Sequence, residues 1–376
     1  MKIRSLVSLS FLALLLAIGA CKKDENVLPI GEFGSLTGGT ATFGQSTHHG
    51  IMMAVEEVNA QGGLLGKKVK IFTEDDQSKP EEAKTAVLKL IKQNEVIAVL
   101  GEVASSRSLA AAPECQKAKI PMVSPASTNP KVTEVGDYIF RTCFVDTFQG
   151  MAMAKYAAEK LNVKRVAILK DIKNDYSVGL AEFFEKTFKG SGGEIVAVES
   201  YSEGDIEFRA QLTAIKAKNP DAIYVPGYYT EVGLIARQAR ELGITVPLMG
   251  GDGWDSPKTL EIGGAAVNNC YFTNHYAIDD PNPEVQGFIE KYKKKHGEVP
   301  DAMAVLGYDA ARILFDAIRR TGSADPTKIR NALAETKDFV GVSGKITIDK
   351  DRNAEKRIVI LKVEDGKIKF AGDMNP

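Results

Sequence analysis

The residues able to do chemistry in this sequence lie in short polar loops, each following an apolar run. In GEVASS, Ser105 and Ser106 stand where such a run gives way to a helical pattern. A helix start leaves backbone N–H groups without internal partners, and with the helix dipole it attracts anions. The same serines are also good N-cap types, so plain capping is the other reading. In VSPASTNP, Pro125 and Pro130 argue against helix and central strand. The loop left over offers the Ala126 carbonyl, the Ser127 and Thr128 N–H groups and the Thr128 hydroxyl. That set can serve a carboxylate and an ammonium side by side, or it is an ordinary proline-rich turn. Asp252, in GGDGW, is either the partner of a cation or a turn aspartate between glycines. Tyr176 in NDYSVG, Tyr228 in GYYTE and Phe43 in TFGQS supply aromatic faces. Anion donors, one carboxylate and aromatic walls complement a small zwitterion with an apolar side chain. Both of its charges would need dedicated partners, because an unpaired buried charge is very costly.

Other chemistries find little support. GxSxG, HExxH and a Walker A loop are all missing, and GGLLGKK has the wrong spacing with no Ser or Thr after its lysine. His48, His49, His275 and His296 show no ligand spacing, so no metal is expected, no cofactor is implied, and they read as surface or core residues. Cys115, Cys143 and Cys270 lack CxxC spacing and read as small buried residues.

The elements that must position these loops alternate. Helical patterns at 48–59, 80–93, 106–118, 148–160, 178–189, 208–218 and 230–242 are separated by strands such as VKIFTED, VIAVL, IPMVS, RVAILK, AIYVPG and PLMG. After the strand NNCYFTN come helices at 283–296 and 301–321, the helical stretch PTKIRNALAET, and a β-patterned tail. The alternation implies parallel sheets with helices on both faces, in two doubly wound α/β lobes. Ligands of such sheets bind beyond the carboxyl ends of the strands, where the polar loops lie.

The N-terminus reads as an export signal. Lys2 and Arg4 precede an apolar run from Leu6 to Ile18, too short to span a membrane, and IGAC resembles a lipobox ending at Cys21. That resemblance implies cleavage before Cys21, removing residues 1–20, a diacylated Cys21 thiol, and a tether at 21–26. Of 48 Lys+Arg and 49 Asp+Glu, Lys2 and Arg4 leave with the signal, so the mature chain has a net charge of about −3. That balance argues against nucleic acid as a partner.

From about residue 30 to 365, the ordered set SLTGGTATFGQSTHHGIMMAVEEVNAQGGLLGKKV, DDQSKPEEA, GEVASS, SPASTNP, FRTCFVDTFQG, KNDYSVG, EFRAQLTAIK, GYYTE, RQARELGI, GYDA and GVSGKITID resembles the substrate-binding lipoproteins of branched-chain amino acid ABC transporters. The resemblance implies a type I periplasmic binding protein fold: two lobes joined by three crossings, with a ligand cleft between them. Lobe one would be 27–146 plus 273–350, and lobe two 147–272 plus 351–376. It further implies that Ser105 meets a ligand carboxylate, and that Ala126 offers its carbonyl to the ammonium. Thr128 would touch both groups, Tyr176 would reach the carboxylate from the other lobe, and Asp252 would pair with the ammonium. Phe43 and Tyr228 would wall the side-chain pocket. Ser106, at the anion-attracting helix start, and Ser127, by its N–H, complete the expected ligand-binding set. Two departures stand out. The best-known members carry glutamate at the position of Asp252, and a disulfide at positions matching Gln77 and Ala104. Glu102 either faces solvent or points inward, toward a polar or basic ligand side chain. The expected function is that of a monomeric, membrane-anchored solute-binding component of an importer, handing a branched-chain or related amino acid to a membrane permease. The alternatives are a lipoprotein that senses an amino acid or an amide- or urea-type compound, and a secreted hydrolase.

Overall fold

The computed structural model describes residues 26–376, so the expected signal peptide, Cys21 and nearly all of the tether lie outside the described residues. The chain begins with β1 (Val27–Gly34), α1 (Ala41–Ala60), β2 (Lys68–Asp75), α2 (Pro80–Lys92), β3 (Val99–Leu100), α3 (Ser105–Ala118), β4 (Met122–Ser124), the short α4 (Lys131–Glu134) and β5 (Ile139–Arg141). It continues with α5 (Asp146–Glu159), β6 (Arg165–Asp171), α6 (Asp175–Gly190), β7 (Glu194–Tyr201), α7 (Arg209–Lys216), β8 (Ala222–Tyr224), α8 (Tyr229–Glu241) and β9 (Leu248–Gly250). A 3₁₀ turn at Asp252–Trp254, α9 (Pro257–Gly263) and β10 (Cys270–Asn274) come next. The last stretch holds α10 (Pro283–His296), α11 (Ala302–Thr321), α12 (Pro326–Ala334), β11 (Phe339–Gly341), β12 (Gly344–Ile348), β13 (Ala354–Glu355), β14 (Ile358–Glu364) and β15 (Lys367–Met374).

Two large sheets result. The first is parallel throughout, in the order β2-β1-β3-β4-β5. The second runs β15-β14-β10-β9-β8-β6-β7, parallel from β7 to β10 and closed by the antiparallel β14 and β15. Both faces of the parallel strands are covered by helices, which is why VIAVL and AIYVPG are apolar without alternation. Val99, Leu100, Met122 and Val123 have no exposed surface. Helices α10, α11 and α12 return to the first sheet, where Ile313, Leu314 and Ile329 join Leu28 and Ile30 in one core. The chain therefore passes between the sheet systems three times: after β5, after β10 and before β14. In the first two crossings Phe144 stacks on His275, with centroids 3.8 Å apart.

Helix α1 starts at Ala41, well before the His48 start expected from periodicity, so Phe43 lies in a helix and not in a loop. Its first turns, ATFGQST, are poor helix formers, and packing overrides that weakness. Gly44 lies so close to β1 that a Cβ there would sit 2.1 Å from the Ser35 carbonyl oxygen. Helix α9 was not expected from sequence, although Ser256 caps it by accepting from the Lys258 N–H and Pro257 occupies its first turn. Cys115, Cys143 and Cys270 are free and buried. No helix of the described residues is long and apolar enough to cross a membrane.

Candidate ligand-binding site

The carboxyl ends of both sheets face one another, and the loops there meet. Ser106 Oγ accepts from the Asp175 N–H at 2.9 Å, and Asn129 Nδ2 donates to the Asp175 carbonyl at 2.7 Å. On the other lip, Thr42 N–H donates to Tyr229 Oη at 3.3 Å, and the Thr42 and Ser256 hydroxyls lie 3.1 Å apart. These bonds join one sheet system to the other, so the cleft is shut.

At one end of the enclosed space lies the first turn of α3. Neither serine acts as a cap: Ala104 holds the N-cap position and no side chain caps the helix. Ser105 is 1% exposed, and its hydroxyl accepts from the Asn129 N–H at 3.2 Å. Its own proton remains free to donate beside the N–H groups of the helix start. From the second sheet Tyr176 enters on the first turn of α6, which Asn174 caps by accepting from the Tyr176 N–H. The Tyr176 hydroxyl accepts from the Gly253 N–H at 3.2 Å. Burial pushes this phenol well above its ordinary value, so it stays protonated and can donate. The glycines around Asp252 make room for the ring: a Cβ on Gly251 would sit 2.3 Å from Tyr176 Oη, and one on Gly253 2.8 Å from Tyr228 Cδ1.

At the other end, Asp252 Oδ1 has no hydrogen-bond partner, and Thr128 Oγ1 and Asp146 Oδ2 have none beyond each other. Gln149 ties the two carboxylates together. Its Nε2 donates to Asp146 Oδ1 at 2.9 Å, and its Oε1 accepts from the Asp252 N–H at 2.8 Å and from the Thr273 hydroxyl at 2.7 Å. Asp252 Oδ2 lies 3.0 Å from His275 Nε2. Thr128 Oγ1 faces Asp146, and the Thr128 carbonyl accepts from the Asp146 N–H at 2.9 Å. Burial first, and then the neighbouring Asp252, push the Asp146 carboxyl up to about 8. Burial drives His275 down to about 4, against the opposing pull of Asp252, so the imidazole is neutral at pH 7. Sequence reasoning missed Asp146, Gln149 and His275. An aspartate in a first helical turn is ordinary, so FVDTFQG gave no signal, and a lone histidine at a strand end gave none either.

The remaining wall is aromatic. Phe43 is fully buried, with its ring edge-on to Tyr228 at 5.4 Å and to Tyr229 at 4.9 Å. Tyr176 stacks on Tyr228 at 5.3 Å, and Ala126 belongs to the same apolar cluster. The two expected wall residues therefore come together from opposite sheets, with Tyr229 as an addition.

Two residues differ from expectation. Ser127 has its hydrogen-bonding groups taken by the chain. Its N–H goes to Ser124 Oγ, its hydroxyl to the Glu102 and Val103 carbonyls, and its own carbonyl to Arg141 Nη1. It braces the SPASTNP loop and does not line the cleft with free groups. Glu102 points inward, yet Arg107 and Ser35 hold it: Arg107 Nε lies 3.1 Å from Oε1, and the Ser35 hydroxyl donates to the same oxygen at 3.0 Å. Its charge is thereby answered inside the first lobe and is not offered to a ligand.

Two α/β sheets closing over a polar pocket at their strand ends define a class of hinged, two-lobed solute-binding proteins. Residues 27–367 match the periplasmic binding protein family, and the chain belongs to that family. A Leu/Ile/Val-binding protein, BraC3, from Rhizobium johnstonii is 32% identical over 91% of this chain and 93% of its own length. The fold is shared with a leucine binding protein, LivK, from Thermotoga maritima: TM-score 0.90, 44% identity, covering 93% of this chain and 99% of that one. It is also shared with the branched-chain amino acid transporter substrate binding protein LivJ from Streptococcus pneumoniae, solved with isoleucine: TM-score 0.89, 36% identity, covering 93% and 100%.

Proposed function

We propose that the cleft binds a small α-amino acid with an apolar side chain, and that the protein presents it to the permease of an ABC importer. The observation that carries this reading is the buried cluster of Thr128, Asp146 and Asp252, in which Asp252 Oδ1 has no donor and Thr128 Oγ1 and Asp146 Oδ2 have no partner beyond each other. An ammonium has three donors, and buried acceptors left without donors are costly. Opposite them, the Ser105 hydroxyl, the start of α3 and the Tyr176 hydroxyl offer donors for a carboxylate. Ala126 would lend its carbonyl to the ammonium, while Phe43, Tyr228 and Tyr229 suit an apolar side chain. In this reading lobe one is 27–146 with 273–350 and lobe two is 147–272 with 351–376. The anchor at Cys21 holds the mature chain outside the cytoplasmic membrane. A ligand bridging the lobes favours closure by its greater affinity for the closed form.

A thermal-shift screen over the amino acids tests this, because a ligand that binds only the folded chain raises its melting temperature. Stabilisation by leucine, isoleucine, valine or alanine, confirmed by calorimetric titration without turnover, is the expected result. A screen in which no α-amino acid shifts the transition refutes it.

A further inference from the structure

Asp252 has a shape problem of its own. A carboxylate with one idle oxygen turns about its Cβ–Cγ bond unless the other oxygen is fixed, and a ligand that must order it loses affinity in doing so. Gln149 fixes only the Asp252 backbone, through its N–H. The carboxylate itself touches His275, whose Nε2 lies 3.0 Å from Oδ2 while Oδ1 stays unpartnered. We propose that His275 positions Asp252: its Nε2–H holds Oδ2 so that Oδ1 faces the ligand's ammonium. The inference rests on the amino acid reading above and adds a residue to it.

The geometry assigns the tautomer. A carboxylate only accepts, so Nε2 must carry the proton, and Nδ1, which has no partner, is the bare nitrogen. The ring cannot swing away, because it is 1% exposed and stacks on Phe144 at 3.8 Å with 13° between planes. Phe144 lies in the first crossing between lobes and His275 in the second, so the grip on the ammonium is braced by the hinge itself. His275 touches no ligand in this arrangement and acts only through Asp252.

The test separates positioning from packing. Calorimetric titrations use the mature chain and the tightest binder among L-leucine, L-valine and L-alanine. His275→Phe keeps an aromatic ring against Phe144 but removes the donor; His275→Gln keeps a donor and loses the ring. Positioning predicts that His275→Phe binds about tenfold more weakly than wild type, while His275→Gln stays within about threefold. It also predicts that in an Asp252→Ala background His275→Phe costs no further affinity. Packing predicts the reverse order, with Gln weaker than Phe, and losses that multiply in the double variant; either result overturns the proposal. If Asp252→Ala alone leaves affinity unchanged, the ammonium reading fails and this inference falls with it. Long-range ¹H–¹⁵N correlations on the wild type give a readout independent of the variants' folding: a proton on Nδ1 instead of Nε2 would also overturn it.

Discussion

Two buried acidic clusters flank the same cleft, and they differ in what answers their charge. Around Glu102, Arg107 Nε stands 3.1 Å from that carboxylate and 4.0 Å from Asp76. The Ser35 hydroxyl is bonded to both acids, at 2.7 Å to Asp76 and 3.0 Å to Glu102, and the Ala104 N–H donates to Glu102 Oε2. Around Asp252, the partners of the carboxylates are Gln149 and a neutral His275, and no Lys or Arg of the described residues lies within ion-pair distance of Asp252 or Asp146. Arg141 is near, but its Nη1 and Nη2 donate to the Ser127, Asn129 and Pro130 carbonyls, holding the loop, and its Nε has no partner. A buried acid whose cation is built into the chain is scaffold; in the proposed reading, one without a built-in cation is where the ligand's ammonium binds.

The largest expected effect falls on the scaffold cluster. Arg107→Leu strips Glu102 of its cation while leaving the carboxylate fully buried, and breaking such a pair costs about 3–5 kcal/mol. Urea unfolding checks it; a loss below about 1 kcal/mol would mean that the two clusters do not differ in kind. Asp252→Ala should act differently. It removes a carboxylate that has no built-in cation but leaves the His275 N–H without an acceptor, so the unliganded chain loses about 1–3 kcal/mol, less than with Arg107→Leu. Affinity for an α-amino acid falls by about 100-fold, the scale of a lost charged hydrogen bond that leaves the ligand's ammonium underpaired. Titration calorimetry beside urea unfolding reads both quantities.

The next comparison uses pH. Asp76 is pushed up to about 8 by burial and then by Glu102, and Asp146 to about 8 by burial and then by Asp252, both from an ordinary 3.8. A carboxyl raised on folding contributes stability that is whole below about pH 4 and is lost as pH rises toward 8. Replacement by Asn removes that dependence. The unliganded wild type should therefore lose stability relative to either Asp76→Asn or Asp146→Asn across that window, with a slope approaching one proton per site. Ligand separates the two. An ammonium favours the ionised Asp146, so Asp146→Asn should weaken amino acid binding by about tenfold at pH 8, whereas Asp76→Asn should leave affinity alone. Equal losses of affinity in the two variants would erase the distinction between the clusters.

The sequence revealed the scaffold of this comparison more clearly than its occupancy. Strand–helix alternation announced two doubly wound lobes because buried parallel strands are apolar on both faces, and VIAVL or AIYVPG cannot be misread as surface. Ser105, Thr128, Tyr176, Tyr228 and Asp252 were legible because each follows a strand, and their loops do meet. What stayed hidden depends on partners distant in the chain. Glu102 could be read either as solvent-facing or as a group for a ligand, and only the structure shows Arg107, five residues on, and Ser35, from the first strand's exit, holding it. Ser127 looked free until the Glu102 and Val103 carbonyls took its hydroxyl. Asp146 and His275 carry no local pattern that separates a ligand site from a cap or a core residue. Phe43 was assigned to a loop because ATFGQST has weak helix propensity, and the close approach of Gly44 to Ser35 that fixes the helix there is a tertiary fact.

The smallest effect probes how the two clusters are brought face to face. Ser106 does not cap α3 in the closed form: its hydroxyl accepts the Asp175 N–H at 2.9 Å, at the first residue of α6. That bond can exist only when the lobes are shut, so it stabilises the closed state and not the open one. Ser106 is partly exposed, and a neutral hydrogen bond at such a site contributes about 0.5–1.5 kcal/mol, or roughly twofold to tenfold in the closing equilibrium. Ser106→Ala should therefore weaken every ligand by the same modest factor, whether or not it carries an ammonium, and leave urea stability of the unliganded chain unchanged. Asp252→Ala should instead discriminate strongly between leucine and its deaminated analogue 4-methylpentanoate. A Ser106→Ala variant whose loss is confined to ammonium-bearing ligands would place the serine in the grip on the ligand and not in the closing of the lobes. The line between the groups that hold the solute and those that hold the lobes together would then have to be redrawn.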